Sequence, residues 1–229
     1  FISRTLDVPY YVSNLSGNQF QEVPARSDND PTVGVGFSYD ATRYKSFGPH
    51  GGRAIDVHYQ YTPDLKDGGA LTRDAFLQAR AYVPISRRTL FAFRLFAGMS
   101  DGNAPNVFYF GGLDTLRGFD FRSEIGNRVF YLNSEFRFPL VDVIATPILL
   151  FQGIRGHIFV DLGGAWLKDQ PFQFWDGANG RLKDGLSSFG AGFSIYFLGL
   201  PWNVDFAKQW DLRHTLSSTQ VTFYIGETF

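Results

Sequence analysis

The chain has 229 residues and no cysteine, which removes disulfides, thiolate metal sites and a cysteine nucleophile together. Long apolar runs are missing too. A membrane-crossing helix needs roughly 18 to 20 apolar residues in succession, and the longest apolar run here, 143–151, contains Thr146 and Pro147. Charge of one sign is also lacking: 21 Lys plus Arg face 22 Asp plus Glu, so bulk charge recommends neither nucleic acid nor an acidic surface as a partner. A leader is not visible either, since the chain opens at Phe1 and reads as a mature form or a piece of something longer. What is plentiful is aromatic: 25 Phe, 11 Tyr and 4 Trp stand beside 25 Gly, while hydrophobic residues make only 44% of the chain. The length suits one domain over residues 1–229.

Period two dominates the pattern, as it does in half-buried strands. In 32–40, Val33, Val35, Phe37 and Tyr39 alternate with Gly34, Gly36 and Ser38. Ile55, Val57, Tyr59 and Tyr61 repeat this against Asp56, His58 and Gln60; further runs cover 77–83, 91–97 and 130–138. Ile158, Val160 and Leu162 face His157 and Asp161, and Phe189, Ala191, Phe193 and Ile195 face Ser188, Gly190, Gly192 and Ser194. With 202–208, 219–229 and a first strand over 3–12, about ten strands are expected. Long connections (13–31, 63–73, 100–127, 167–185, 209–218) alternate with shorter ones (43–51, 85–87, 139–152, 199–201), as in an antiparallel barrel with one long-loop and one short-turn rim. Pro84, Pro139 and Pro201 stand where strands should stop, because proline lacks a ladder donor.

The faces are inverted relative to a soluble sandwich. Charged residues share a face with Gly and Ser, or sit in connections, while Phe, Leu, Val and Tyr own the other face. In lipid every backbone group must pair within the protein, so an apolar exterior around a polar lumen implies a closed transmembrane β-barrel. The predicted fold is therefore all-β and antiparallel.

Catalysis finds no support in the pattern. His50, His58, His157 and His214 lack metal-type spacing, and no nucleophile, histidine and carboxylate form a recognisable set. The chain is read as a non-enzyme without a cofactor or metal. Asp28, Asn29 and Asp30 lack the ordered ligand spacing of a calcium loop and read as a solvated turn. The segment 143–151 reads either as an interfacial stretch or as a strand passing through a turn.

One connection is unusual. It runs Phe110, Gly111, Gly112, Leu113, Asp114, Thr115, Leu116, Arg117, Gly118, Phe119, with an arginine between apolar residues and glycines that permit a tight backbone. About forty residues on, Phe159, Asp161 and Gly163 put a carboxylate on the lumen face. An inward-folded loop would let Arg117 pair with Asp161, shielded from water. An extracellular loop with a solvated arginine fits the spacing equally well.

These residues resemble the outer-membrane superfamily of the barrel-assembly insertase, the two-partner secretion transporters and the chloroplast import channel, which includes surface-antigen barrels. Leu116, Arg117, Gly118 and Phe119 match its signature loop, preceded by Gly111 and Gly112, and Phe159, Asp161 and Gly163 match its Phe-x-Asp-x-Gly motif. The resemblance implies that Arg117 enters the lumen and pairs with Asp161. The run 133–139, with Glu135, resembles the strand that follows the loop, and 223–229 resembles the carboxy-terminal β-signal through Phe223, Ile225, Gly226 and Phe229. Gly190 and Gly192 stand where relatives often carry a lumen charge, which would leave the arginine short of partners. Family barrels have sixteen strands, so ten imply either the carboxy-terminal part of a longer barrel or a reduced barrel closing 3–12 against 219–229. No periplasmic docking domain is seen in the sequence.

The function implied is insertion or translocation of polypeptides at the bacterial outer membrane, with outer-membrane lipids, unfolded polypeptides and periplasmic or lipoprotein accessory factors as partners. The alternative is a passive pore, or an anchor for an amino-terminal domain outside this chain.

Overall fold

The computed structural model describes residues 10–13, 20–23, 31–45, 48–113, 115–141, 144–145, 150–151, 153–197, 200–226 and 229. Residues 3–9 of the expected strand over 3–12, most of the first long loop with Asp28, Asn29 and Asp30, and most of 143–151 lie outside these residues.

Nine strands form the body of one antiparallel sheet: β1 (Val33–Asp40), β2 (Gly48–Pro63), β3 (Ala70–Pro84), β4 (Leu90–Asp101), β5 (Arg128–Val141), β6 (Ile154–Trp166), β7 (Leu186–Phe197), β8 (Leu200–Gln209) and β9 (Gln220–Ile225). Each pairs with its neighbours in the chain, so the order in space is the order in sequence. A meander of this kind needs only hairpin connections and no crossover. Among the described residues β1 and β9 are the edges of the sheet.

The faces follow the alternation in the sequence. Val33, Val35 and Phe37 on β1, Phe91 and Phe93 on β4, Ile158 and Val160 on β6, and Val221, Phe223 and Ile225 on β9 are all exposed large hydrophobics. A soluble protein rarely exposes so continuous an apolar surface, whereas a lipid-facing wall requires it. The opposite face buries Arg94, Asn133, Glu135, Arg137, His157, Asp161, Asn203 and Asp205. This is the polar interior of a membrane barrel.

Several boundaries differ from the sequence reading. Tyr10–Ser13 pairs with Phe20–Val23 as a separate hairpin and not with β9. The 43–51 connection contains a strand, Arg43–Lys45, that pairs with the start of β2. The long connections carry hairpins of their own, Phe108–Phe110 with Glu124–Gly126 and Trp175–Asp176 with Arg181–Leu182. Pro139 lies inside β5, at a register shift towards Val141, where a bulge tolerates the missing donor. The last strand stops at Ile225, short of 229.

That early stop has a local cause. Gly226 adopts φ +147, a backbone that L side chains rarely take. Its N–H donates to Pro201 O at 3.0 Å and its carbonyl accepts from Asn203 Nδ2 at 2.8 Å. Phe229 is buried with Tyr82, Leu90 and Ala92, and its ring lies 4.8 Å from the Arg94 Cζ and 4.9 Å from the Arg137 Cζ. The final aromatic therefore belongs to the interior and not to the outward row of Phe223 and Ile225.

Candidate functional site: an arginine loop against the barrel wall

The loop begins at two glycines in the left-handed region, Gly111 at φ +119 and Gly112 at φ +68. Side chains there would collide with the returning chain around Asp120 and Phe121. The turn closes through Gly112 N–H to Leu116 O and Thr115 N–H to Gly112 O, both at 3.0 Å, while the Thr115 hydroxyl accepts from Gly111 N–H at 3.0 Å. Leu116 is fully buried among Phe110, Val129 and Tyr131, with Phe119 packed alongside. Gly163 makes room in the wall, because a Cβ there would meet the Phe110 ring at 3.2 Å. The apolar contacts thus seat the loop, and the turn aims Arg117 at the wall.

Arg117 is 1% exposed. Its Nε donates to Asp161 Oδ2 at 2.8 Å and its Nη2 to Asp161 Oδ1 at 2.7 Å, a bidentate fork. Its backbone N–H donates to the same carboxylate at 3.2 Å, and its Nη1 donates to Glu135 Oε1 at 2.5 Å. The guanidinium also stacks on Phe159, with Cζ 3.6 Å from the ring centroid. The motif residues Arg117, Phe159, Asp161 and Glu135 are therefore in direct contact.

Other contributors were not expected to touch the loop. Asn133 Nδ2 donates to Thr115 O at 2.6 Å and to Asp161 Oδ1 at 2.8 Å, and its own oxygen accepts from Arg94 Nε at 2.9 Å. Register explains this, since Asn133 stands opposite Asp161 in the β5–β6 ladder. Gln209 Nε2 donates to Gly118 O at 2.7 Å. Gly118, at φ +83, would meet Ala207 at 3.1 Å if it carried a Cβ. Sequence reading had no signal for Gln209, which lies ninety-one positions from Gly118.

A third carboxylate comes from an unexpected strand. Asp205 Oδ2 lies 3.8 Å from Arg117 Nη1, and Asp205 Oδ1 is 2.7 Å from His157 Nε2. In register, His157 faces Gly192 and Gly192 faces Asp205, so the two side chains meet over a residue without a side chain. Gly190 serves Phe159 in the same way, because a Cβ there would strike the ring. The expectation that these glycines leave Arg117 short of partners is thereby corrected: the charge is supplied from β8, across the gap that Gly192 leaves. Asp161, Glu135 and Asp205 then face Arg117, Arg137 and His157, with Arg137 Nε donating to Glu135 Oε2 at 2.7 Å.

The arrangement binds and orients; it holds no nucleophile beside a base. Among the described residues no group of three or more His, Asp or Glu has metal-holding geometry. His58 contacts Asp56, the His214 backbone N–H donates to the Asp211 carboxylate that caps its turn, and His50 lies at the short-turn rim. Of the terminal motif, Phe223 and Ile225 point outward, Gly226 marks the kink and Phe229 turns in, so these residues are not part of the arginine cluster.

Comparison with known proteins bears on the fold and the family. No curated protein matches the chain. Among solved structures, the chain is similar to BamA from Haemophilus ducreyi lacking POTRA domains 1-3, with a TM-score of 0.62 and 16% identity. That match covers 93% of this chain and 44% of the other, so the chain spans less than half the length of that relative. The Omp85 superfamily domain matches residues 5–229. With nearly its whole length matched, this chain belongs to the Omp85 superfamily, a non-enzymatic family of outer-membrane assembly and transport barrels, and is a bacterial outer-membrane protein.

Proposed function

We propose that this chain is a barrel domain that assists polypeptides into or across the outer membrane, with the Arg117 loop docked on the inner wall as its working element. The observation that supports this reading most is the burial of Arg117 against three carboxylates on three different strands. A loop held by charge across β5, β6 and β8 ties their relative positions together. Among the described residues β1 and β9 are the edges of the sheet, and the free donors and acceptors of a sheet edge can template an incoming strand. Substrate polypeptides and accessory factors are the partners this reading requires.

The test is reconstitution of the protein containing this chain into vesicles, followed by the rate at which a small outer-membrane β-barrel folds into them. Acceleration that disappears in Arg117→Ala supports the reading. A vesicle-inserted protein that conducts ions, with or without Arg117, and never accelerates folding or passage of a polypeptide would favour a passive pore or anchor.

A further inference from the structure

The long connection between β6 and β7 does not stand clear of the barrel. Phe172 stacks on Trp166, the last residue of β6, with ring centroids 4.3 Å apart and planes 17° apart. Phe174 lies 5.7 Å from Phe130, and Phe130 is the partner of Gly164 in the β5–β6 ladder. Gly164 supplies the room, because a Cβ there would meet the Phe172 ring at 2.7 Å, and Gly185 does the same for Phe174 at 2.6 Å. Both rings therefore reach below the end of β6, so the chain turns back down the wall after leaving it.

The wall they rest on is the outer one. Phe130 alternates with the buried Val129 and Tyr131, and Gly164 and Trp166 are in phase with the exposed Ile158 and Val160 and out of phase with Asp161. Along β6 the exposed apolar row ends at this segment: Ile158 is 51% exposed, Val160 is 38% exposed, and Gly164 is buried. The segment occupies surface that would otherwise meet lipid. Strand length sets its level. β6 has 13 residues; at a rise of roughly 3.3 Å per residue and a tilt of roughly 40° it spans about 30 Å along the membrane normal, against an apolar band about 25 Å tall with aromatic girdles at its edges. The Trp166 end is therefore at the long-loop girdle, which Phe189 and Trp210, 5.1 Å apart, continue across the ends of β7 and β8.

The rest of the segment has a different chemistry. Lys183 N–H donates to Phe174 O at 3.2 Å and Asp184 N–H to Gln173 O at 3.1 Å, which extends the pairing of Trp175–Asp176 with Arg181–Leu182 down to the wall. Lys183 Nζ donates to Gln173 Oε1 at 2.9 Å, and Gln173, Trp175 and Lys183 are exposed. An indole, a carboxamide and an ammonium suit the headgroup layer, where a tryptophan keeps one end apolar and the other wet, and not the hydrocarbon.

We infer that the hairpin 172–184 is an interfacial element that lies in the headgroup layer of the outer leaflet, clamped to the outer wall by Phe172 and Phe174, with Trp175 among the lipid headgroups. The occupant follows from continuity, since the surface on which the hairpin rests is the lipid-facing wall, and the long loops of such barrels are on the extracellular side. The inference concerns how the barrel sits in its membrane and is independent of polypeptide transport.

The experiment reconstitutes the protein containing this chain into phosphatidylcholine vesicles that carry bromine either near the glycerol end or near the methyl end of the acyl chains, and reads tryptophan fluorescence. The emission lost in Trp175→Phe is the contribution of Trp175. Bromine near the glycerol end is expected to quench that contribution at least about twofold, and bromine near the methyl end to quench it less, as for a side chain immersed roughly 5 to 10 Å. Aqueous iodide should quench it at most about half as strongly as it quenches tryptophan amide in water. Gly164→Ala, which pushes against Phe172, should weaken the bromine quenching and strengthen the iodide quenching. Phe172→Ser with Phe174→Ser should do the same without adding bulk to the wall, and Gly177→Ala, whose Cβ would meet nothing, should change neither. Full iodide quenching with none from bromine would put the hairpin in water and overturn the proposal. Stronger quenching from the methyl end would put it in the hydrocarbon and overturn it too. So would bromine quenching that survives both the Gly164 and the phenylalanine substitutions, since the aromatic seat would then hold nothing. The expected quenching in a protein that accelerates no folding would sink the transport reading and leave this one standing.

Discussion

His157 and Asp205 are 2.7 Å apart at their polar atoms although β7 runs between their strands, and the residue of β7 that separates them is Gly192. Strands two apart in a sheet lie roughly 9 to 10 Å from each other. The two side chains span that distance only because the intervening position is empty. Asp205 in turn stands beside Arg117 and accepts from the Tyr224 hydroxyl of β9 at 3.4 Å. The Arg117 cluster and the edge strand thus share one carboxylate.

Gly192→Ala tests that gap. Its Cβ would overlap both the Asp205 carboxylate and the His157 ring, and overpacking of this kind typically costs about 1 to 3 kcal/mol. The expected result is a lowered unfolding midpoint in urea and a weakened loop. Gly177→Ala, where a Cβ meets nothing within 4 Å, should leave the midpoint unchanged. Identical midpoints for the two variants would mean that the wall relaxes freely.

Arg117→Ala removes the only guanidinium that bonds both Asp161 and Glu135 among the described residues, and both carboxylates are buried. Breaking a buried ion pair from one side commonly costs about 3 to 5 kcal/mol, because the stranded charge stays desolvated. Arg181→Ala, at an exposed arginine 3.9 Å from its partner, should cost under about 0.5 kcal/mol. Urea unfolding of the two variants side by side measures this. Arg117→Lys should rescue only part of the loss, since an ammonium cannot reproduce the fork on Asp161.

Gly118→Ala should release the loop without touching a charge. The residue sits at φ +83 and packs on Ala207 and Ser188. A Cβ in that backbone costs roughly 1 to 2 kcal/mol from strain alone. The check is limited proteolysis: faster cleavage within 111–123 in the variant supports the seat, and unaltered cleavage removes Gly118 from it.

Acid should loosen the turn after β8 before it affects the interior. The backbone N–H of His214 donates to the Asp211 carboxylate, the main cause that holds its pKa below the ordinary aspartate value; the Arg213 N–H adds to it, against an opposing effect of burial. A depressed carboxylate contributes stability above the unfolded pKa of about 3.9 and loses it as pH falls through the folded value. Amide exchange at Arg213 and His214 should therefore be protected at neutral pH and rise relative to the interior strands below about pH 4. Protection that does not change across that window would show that Asp211 does not hold the turn.

Much of this was legible in order along the chain. Alternation at Val33, Val35 and Phe37, or at Asn133, Glu135 and Arg137, assigns each side chain to a face, because the strand repeat is two residues. It locates eight of the connections between β1 and β9 and the inverted polarity that requires a membrane. The Arg117 loop and Asp161 stood out through residue type, glycine placement and family resemblance.

Cross-strand geometry was not legible. Which residue of β8 lies level with His157 depends on the registers of two ladders added together, so Asp205 and the gap at Gly192 emerge only when β6, β7 and β8 are paired. Asn133 and Gln209 reach the loop because the loop folds inward, and that path is set by Leu116 packing among Phe110, Val129 and Tyr131. Phe229 continues the alternation on paper and leaves it in space, where its ring is buried with Tyr82, Leu90 and Ala92. The sequence by itself determined which face each strand residue takes, through local stereochemistry; the tertiary structure decided which of the inward residues touch, through register and the path of one loop.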